Sequence, residues 1–149
     1  MKSKKIVLVG GCFDILHPGH VIFLEKAKKA GDEHSSSALQ SKLIVLLESD
    51  EKVKKLKGVK RPVHSQEERA QVLLALKSVD SVIKLPYIET EEEYDEIIKT
   101  VEPDIIALTA GADNKNQEKS AKRLGIEIRY VTNIVGNHSS SRILNGDHK

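Results

Sequence analysis

His17 and His20 stand three residues apart in the run His17-Pro18-Gly19-His20, directly after Gly10-Gly11-Cys12-Phe13-Asp14. Two imidazoles at that spacing, behind a pair of glycines, suit the handling of phosphate. Lys5-Ile6-Val7-Leu8-Val9 before them is a continuous apolar run, the pattern of a parallel strand buried on both faces. Gly10 and Gly11 then let the backbone turn and approach a ligand closely. Val21 to Ala30 reads as a helix, with Val21, Leu24, Ala27 and the aliphatic stem of Lys28 along one stripe. The histidines therefore fall at a strand-to-helix junction, where the first helical N–H groups lack partners and attract anions. Imidazoles there can donate to phosphate oxygens and stabilise charge that develops during phosphoryl chemistry. The competing reading has both rings merely capping the backbone.

The elements that must position these residues alternate along the chain. After Gly31-Asp32-Glu33 comes a polar stretch, 34–41, which reads as a surface insertion before a second apolar strand, Lys42 to Leu47. Ser65-Gln66-Glu67-Glu68 is a capping box opening a helix that carries Val72, Leu73 and Leu76. Ser81 to Leu85 is a third strand. Thr90 and Glu93 repeat the capping box ahead of Tyr94, Ile97, Ile98 and Val101. Ile105 to Leu108 is a fourth strand, and Asn116 to Leu124 a helix ended by Gly125. Ile126 to Val131 is a fifth strand, and Ser139 starts a last short helix. This succession predicts an α/β fold: a five-stranded, parallel, doubly wound, Rossmann-like sheet with its ligand crevice at the carboxyl ends of the strands.

Size and composition set limits. At 149 residues the chain fits a single domain, 1–149. A net charge of +2 gives no global field for nucleic acid or a membrane surface. One cysteine cannot form an internal disulfide, and with no secretory or membrane-spanning segment evident the expected compartment is the cytoplasm. Cys12 beside histidines could be read as a catalytic thiol or as a small packing residue.

Three further segments bear on phosphate. Lys52, Lys54, Lys55, Lys57, Lys60 and Arg61 crowd the stretch after the second strand; most of these charges read as a solvated loop. Gly111-Ala112-Asp113-Asn114 follows the fourth strand as a turn. Ser139-Ser140-Ser141-Arg142 offers hydroxyls and an arginine at a helix start.

Gly11-Cys12-Phe13-Asp14 with His17-Pro18-Gly19-His20 resembles the signature of the cytidylyltransferase-like nucleotidyltransferases. The Lys55-Leu56-Lys57-Gly58 and Arg61-Pro62-Val63 stretch, the Gly111–Asp113 turn and Ser139–Ile143 are similar to later motifs of that family. The chain departs from the usual pattern at His138 and Ser141, where the family favours isoleucine and threonine. The resemblance runs from Ile6 to Leu144 and implies transfer of a nucleoside monophosphate from a nucleoside triphosphate to a phosphorylated small-molecule acceptor, releasing pyrophosphate. In that reading His17, His20 and Lys57 are catalytic, Lys57 reaching both anions from a mobile loop. The nucleotide lies against Gly11, Cys12, Phe13, Gly19, Gly111, Asp113, Ser139, Ser140, Ser141 and Arg142. Asp14, Lys55 and Arg69 face the acceptor, with Asp14 serving to orient the loop. Mg²⁺ is the implied cofactor, with no protein ligand assigned, and the family suggests a homodimer.

Within the family, Lys55 to Asp80 looks closest to the adenylyltransferase domain of the bifunctional heptose enzyme, which favours ATP and a sugar 1-phosphate. Glycerol-phosphate or choline-phosphate cytidylyltransferase and FAD synthase are the alternatives, and a catalytically idle nucleotide-binding subunit is the alternative outside enzymes. A fragment of an aminoacyl-tRNA synthetase would share the paired histidines, but 3% aromatic residues and no basic aromatic surface speak against RNA.

Overall fold

The computed structural model describes residues 4–33 and 41–134. The chain runs β1 (Ile6–Gly11), α1 (Pro18–Glu33), β2 (Lys42–Leu47), α2 (Asp50–Lys57), α3 (Gln66–Leu74), β3 (Ser81–Lys84), α4 (Glu91–Val101), β4 (Ile105–Ala110), α5 (Lys115–Leu124) and β5 (Glu127–Asn133). The strands form one sheet in the order β3-β2-β1-β4-β5, every pairing parallel. This is the expected doubly wound α/β fold.

Its strand sequences explain the layering. Side chains alternate across the sheet, so Val7, Val9, Leu43, Val45 and Leu47 join Leu24 and Ala27 of α1 in one buried layer. Leu8, Ile44, Leu46, Ile106 and Leu108 join Ile98 of α4 and Ala121 of α5 in the other. The chain winds outward through β1, β2 and β3, then returns to pair β4 on the other side of β1. That reversal between β1 and β4 is the switch point at which such sheets open a crevice beyond their carboxyl ends. The loops after β1 and β4 are therefore brought to one place.

Several element ends differ from the sequence expectations. The first helix starts at Pro18, whose fixed φ and missing N–H suit a first helical position, and continues through Glu33. Gly31 is thus helical, and its bare Cα is needed because a Cβ there would come within 2.5 Å of Ser41 Cβ and 2.7 Å of Val7 Cγ2. The lysine run is a helix, α2, with Ser49 accepting from the Lys52 amide, Asp50 and Glu51 in the first turn and Lys54, Lys55 and Lys57 in the last. That charge order complements the helix dipole. Ser65 and Glu68 form the full reciprocal box. Thr90 accepts from the Glu93 amide, while its own hydroxyl donates to the Glu93 carboxylate. Residues 34–40 of the expected insertion, and the expected helix from Ser139, lie outside the described residues. Ser41, at the end of that stretch, is buried and tied to Asp32 and Lys28. Among the described residues no helix is long and apolar enough to cross a membrane.

Candidate active site

The loop from β1 into α1 is built around one strained residue. Gly10 and Gly11 lie within the strand, and the left-handed residue is Phe13, with φ of 45°. Such a conformation costs a bulky residue about 1–3 kcal/mol and persists only where surroundings enforce it. They do so here: the Phe13 ring is buried in the core and packs against His20 with ring centroids 5.3 Å apart. It also fills the space beside Gly11, where a Cβ would sit 2.9 Å from Phe13 Cε2. Gly11 thus makes room for an aromatic ring that in turn seats a histidine. This replaces the expectation that the two glycines form the turn.

His17 is the cap of α1. Its carbonyl accepts from the amides of His20 and Val21, and its Nδ1 accepts from the Gly19 amide at 3.1 Å. The capping reading is therefore right for one nitrogen. A neutral ring that accepts at Nδ1 carries its proton on Nε2, which becomes the donating atom. The His17 and His20 rings stack with centroids 3.9 Å apart and 26° between planes. Burial, then the neighbouring His17 and the Lys57 ammonium, push the His20 pKa down from 6.5 to about 4, against a weaker upward pull from the Ile15 backbone. His20 Nδ1 is buried without a hydrogen bond of good geometry. At neutral pH His20 is an uncharged imidazole, able to donate to an incoming anion.

Lys57 is the exposed last residue of α2, followed by Gly58 at φ of 110°. It lies close enough to His20 and Cys12 to shift both groups. The sequence expected this lysine on a mobile loop; it stands at a helix end instead. Cys12 is a half-buried thiol whose pKa is raised by partial burial and by Glu48, against the opposing pull of Lys57, Arg69 and Arg61. It is therefore protonated at neutral pH and poorly suited to act as a nucleophile.

Two residues expected at the acceptor turn out to hold the scaffold. The Asp14 side chain is fully enclosed, pairs with Arg61 Nε at 2.6 Å, and accepts from the amides of Val63 and His64. Burial alone would raise its pKa, but the two amides and Arg61 outweigh that and hold the carboxyl below its ordinary value. Arg69 is also sealed from solvent. It donates to the carbonyls of Cys12, Glu48 and His64 and pairs with Asp50. Together they clamp the loop after β1 to α2, α3 and the segment joining them, with both side chains sealed from solvent. Lys55 is exposed, its Nζ bonded to Tyr87 Oη at 3.1 Å and near Glu89.

Across the switch point, Gly111 adopts φ of 87° after β4, and Asp113 is exposed beside it, its Oδ1 accepting weakly from Lys115 at 3.4 Å. Asn114 Nδ2 closes this turn onto the Thr109 carbonyl. The structure thus brings Gly11, Cys12, Phe13, His17, Gly19, His20 and Lys57 together, with Gly111 and Asp113 on the neighbouring strand end. Ser139, Ser140, Ser141 and Arg142 lie outside the described residues. Sequence reading missed Glu48, which follows β2 and whose amide donates to the Gly11 carbonyl at 3.1 Å. Its only signal was a charged residue at a strand's carboxyl end.

Among the described residues no three His, Cys, Asp or Glu side chains converge to hold a metal ion.

Comparison with known proteins places this arrangement. A family model described as cytidylyltransferase-like matches residues 8–144. Bifunctional protein HldE from Wolinella succinogenes is 41% identical over 94% of the chain, and that from Nitratiruptor sp. is 40% identical over 94%. The chain spans about a quarter of the length of these relatives, 26% and 27%. Among solved structures, the lipopolysaccharide core biosynthesis protein from Thermoplasma volcanium superposes with a TM-score of 0.62 at 27% identity, covering 89% of this chain and 97% of that one. The chain belongs to the cytidylyltransferase-like family.

Proposed function

We propose that the protein transfers a nucleoside monophosphate, AMP in preference to CMP, from a nucleoside triphosphate to the phosphate of a small acceptor such as a sugar 1-phosphate. The observation that carries this reading is the stacked histidine pair at the start of α1, at the sheet's switch point, with Lys57 in electrostatic reach. An acceptor phosphate oxygen attacks the α-phosphorus in line; the new P–O bond forms as the bond to the bridging oxygen breaks, and pyrophosphate leaves. No protein nucleophile takes part, in keeping with a protonated Cys12. His17 and His20 donate to the α-phosphate oxygens as charge shifts onto them, and the α1 N-terminus adds its dipole. Lys57 draws two anions together that would otherwise repel. Mg²⁺, if carried on the triphosphate, would supply charge neutralisation for the pyrophosphate.

Preference for ATP rests on the likeness of Lys55–Asp80 to heptose adenylyltransferases and on similarity to the HldE proteins over most of the chain. Ser139, Ser140, Ser141 and Arg142 are assigned to the nucleotide from their sequence motif, and the protein works as a homodimer in the cytoplasm. The test is acceptor-dependent pyrophosphate release with ATP and CTP across phosphorylated sugars, glycerol 3-phosphate, phosphocholine and FMN. Release with ATP and a sugar 1-phosphate is expected. Release with CTP at ten times the kcat/KM for ATP, or only with FMN, replaces the assignment. Nucleotide binding without release under every condition identifies an idle subunit.

A further inference from the structure

Glu48 stands where the phosphate-binding loop meets the β2–β3 half of the sheet. Its amide is bonded to Gly11, and Cys12 lies within electrostatic range of Glu48, Lys57 and Tyr94 alike. Cys12 is thus near both the Lys57 ammonium and the Glu48 carboxylate. Glu48 follows β2, which flanks β1 on the side opposite β4 and its Gly111 turn.

Among the described residues one side-chain hydroxyl, that of Tyr94, meets both Glu48 oxygens, at 3.1 and 2.9 Å, so the carboxylate keeps acceptor capacity to spare. A carboxylate can accept about four hydrogen bonds, and a half-buried one is costly unless other donors complete it. Burial raises its pKa, against Tyr94, Lys52 and Arg69. Lys52, the cation best placed to pair with it, is turned elsewhere: its Nζ donates to the Ile88 carbonyl at 2.8 Å. The same ammonium lies 5.7 Å from the Tyr87 ring centroid and 5.6 Å from that of Tyr94. Two aromatic rings beside a carboxylate would otherwise make a cage for a quaternary ammonium, but here the ring faces already carry a cation.

Resting on the transferase reading above, we propose that Glu48 and Tyr94 form a hydroxyl-reading subsite, with Lys52 as its guard, that selects a polyhydroxylated phosphate as acceptor and rejects a quaternary ammonium phosphate. With its phosphate at Lys57, such a ligand presents neighbouring hydroxyls that donate as a pair to the two carboxylate oxygens. Tyr94, held as a donor to Glu48, keeps a lone pair that accepts from a further hydroxyl. A carboxylate acceptor for sugar hydroxyls is worth about 10- to 100-fold in affinity.

The test is calorimetric titration of the full chain with mannose 1-phosphate, phosphocholine and inorganic phosphate. The unmodified protein is expected to bind mannose 1-phosphate at least tenfold tighter than inorganic phosphate, and phosphocholine no tighter than inorganic phosphate. Glu48→Gln is expected to weaken mannose 1-phosphate at least tenfold while leaving inorganic phosphate and ATP within twofold. Its thermal midpoint stays level or rises, because a strained charge is removed; a purely structural role would lower it. Tyr94→Phe gives a smaller loss of the same selectivity. The proposal is overturned if the unmodified protein binds mannose 1-phosphate no tighter than inorganic phosphate, if Glu48→Gln weakens both by the same factor, or if phosphocholine binds best. Pyrophosphate release is measured on the same samples. Sugar selectivity lost in Glu48→Gln, with no release by the unmodified protein across the full acceptor panel given above, upholds the subsite and removes the transferase reading.

Discussion

Replacing Asp14 by asparagine tests whether the loop after β1 is held by a buried charge. The carboxylate is enclosed, bridging Arg61 and the amides of Val63 and His64, so one side chain fixes two segments about fifty residues apart in sequence. Asparagine keeps the shape but removes the charge from a guanidinium that is 5% exposed. It also turns an amide donor toward groups that are themselves donors. Breaking one side of a buried pair costs about 3–5 kcal/mol. The pair is sealed but lies at shallow depth, so the lower end, about 3 kcal/mol, is expected. In a domain of this size that lowers the thermal midpoint by about 6–12 °C. Urea unfolding followed by circular dichroism measures the change, with an unaltered m-value showing that the same surface is exposed. The sign with pH follows from the depressed carboxyl. Its contribution is present above the ordinary aspartate value of 3.8 and is lost as pH falls through the lower folded value, so native and variant converge in acid. A loss under 1 kcal/mol at pH 7 would refute the clamp.

The remaining expectations concern the histidines, the lysines and the glycines. Because folding lowers the His20 pKa from 6.5 to about 4, the unfolded chain takes up the proton first. Stability is complete above pH 6.5 and falls by at most about 3 kcal/mol toward pH 4, and His20→Asn should flatten that slope relative to the parent; parallel curves would contradict it. Lys57→Ala should weaken ATP binding and turnover about tenfold or more, while Lys60→Ala changes both less than twofold, since Lys60 is one of several screened surface charges; equal effects in steady-state kinetics would point to a diffuse positive field. Gly11→Ala should cost about 1–3 kcal/mol by driving a Cβ into the Phe13 ring, whereas Gly10→Ala, with nothing nearer than 3.8 Å, should not; paired thermal melts decide.

The strands were legible because buried parallel strands are apolar on both faces, which is why Lys42–Leu47 was read to the residue. The α1 helix was legible from its apolar stripe, but its start was read at Val21, three residues late, because the Pro18 signal for a first helical position was not used. The α2 helix was hidden because its lysines mask its one buried residue, Val53, and helix period needs several apolar positions to be seen. Ser49 with Asp50 and Glu51 ahead of the basic end, and Gly58 after it, was the available signal. Asp14 and Arg69 were read toward a ligand because charge in a motif looks functional. In the structure Asp14 meets Arg61 and two amides, and Arg69 meets Asp50 and three carbonyls; the backbone partners are ones that no residue type announces. Phe13 was named for the nucleotide, but its left-handed backbone depends on the burial of its ring, which only packing decides.

The central claim is that the stacked imidazoles at the start of α1 stabilise nucleotidyl transfer. Its most direct measurement is acceptor-dependent pyrophosphate release from Mg²⁺–ATP by the parent, His17→Ala and His20→Ala chains, with circular dichroism confirming that each is folded. Each substitution removes one donor at the charge that builds on the α-phosphate, so kcat should fall about 10²–10³-fold. Turnover within threefold of the parent, in either folded variant, would contradict the claim.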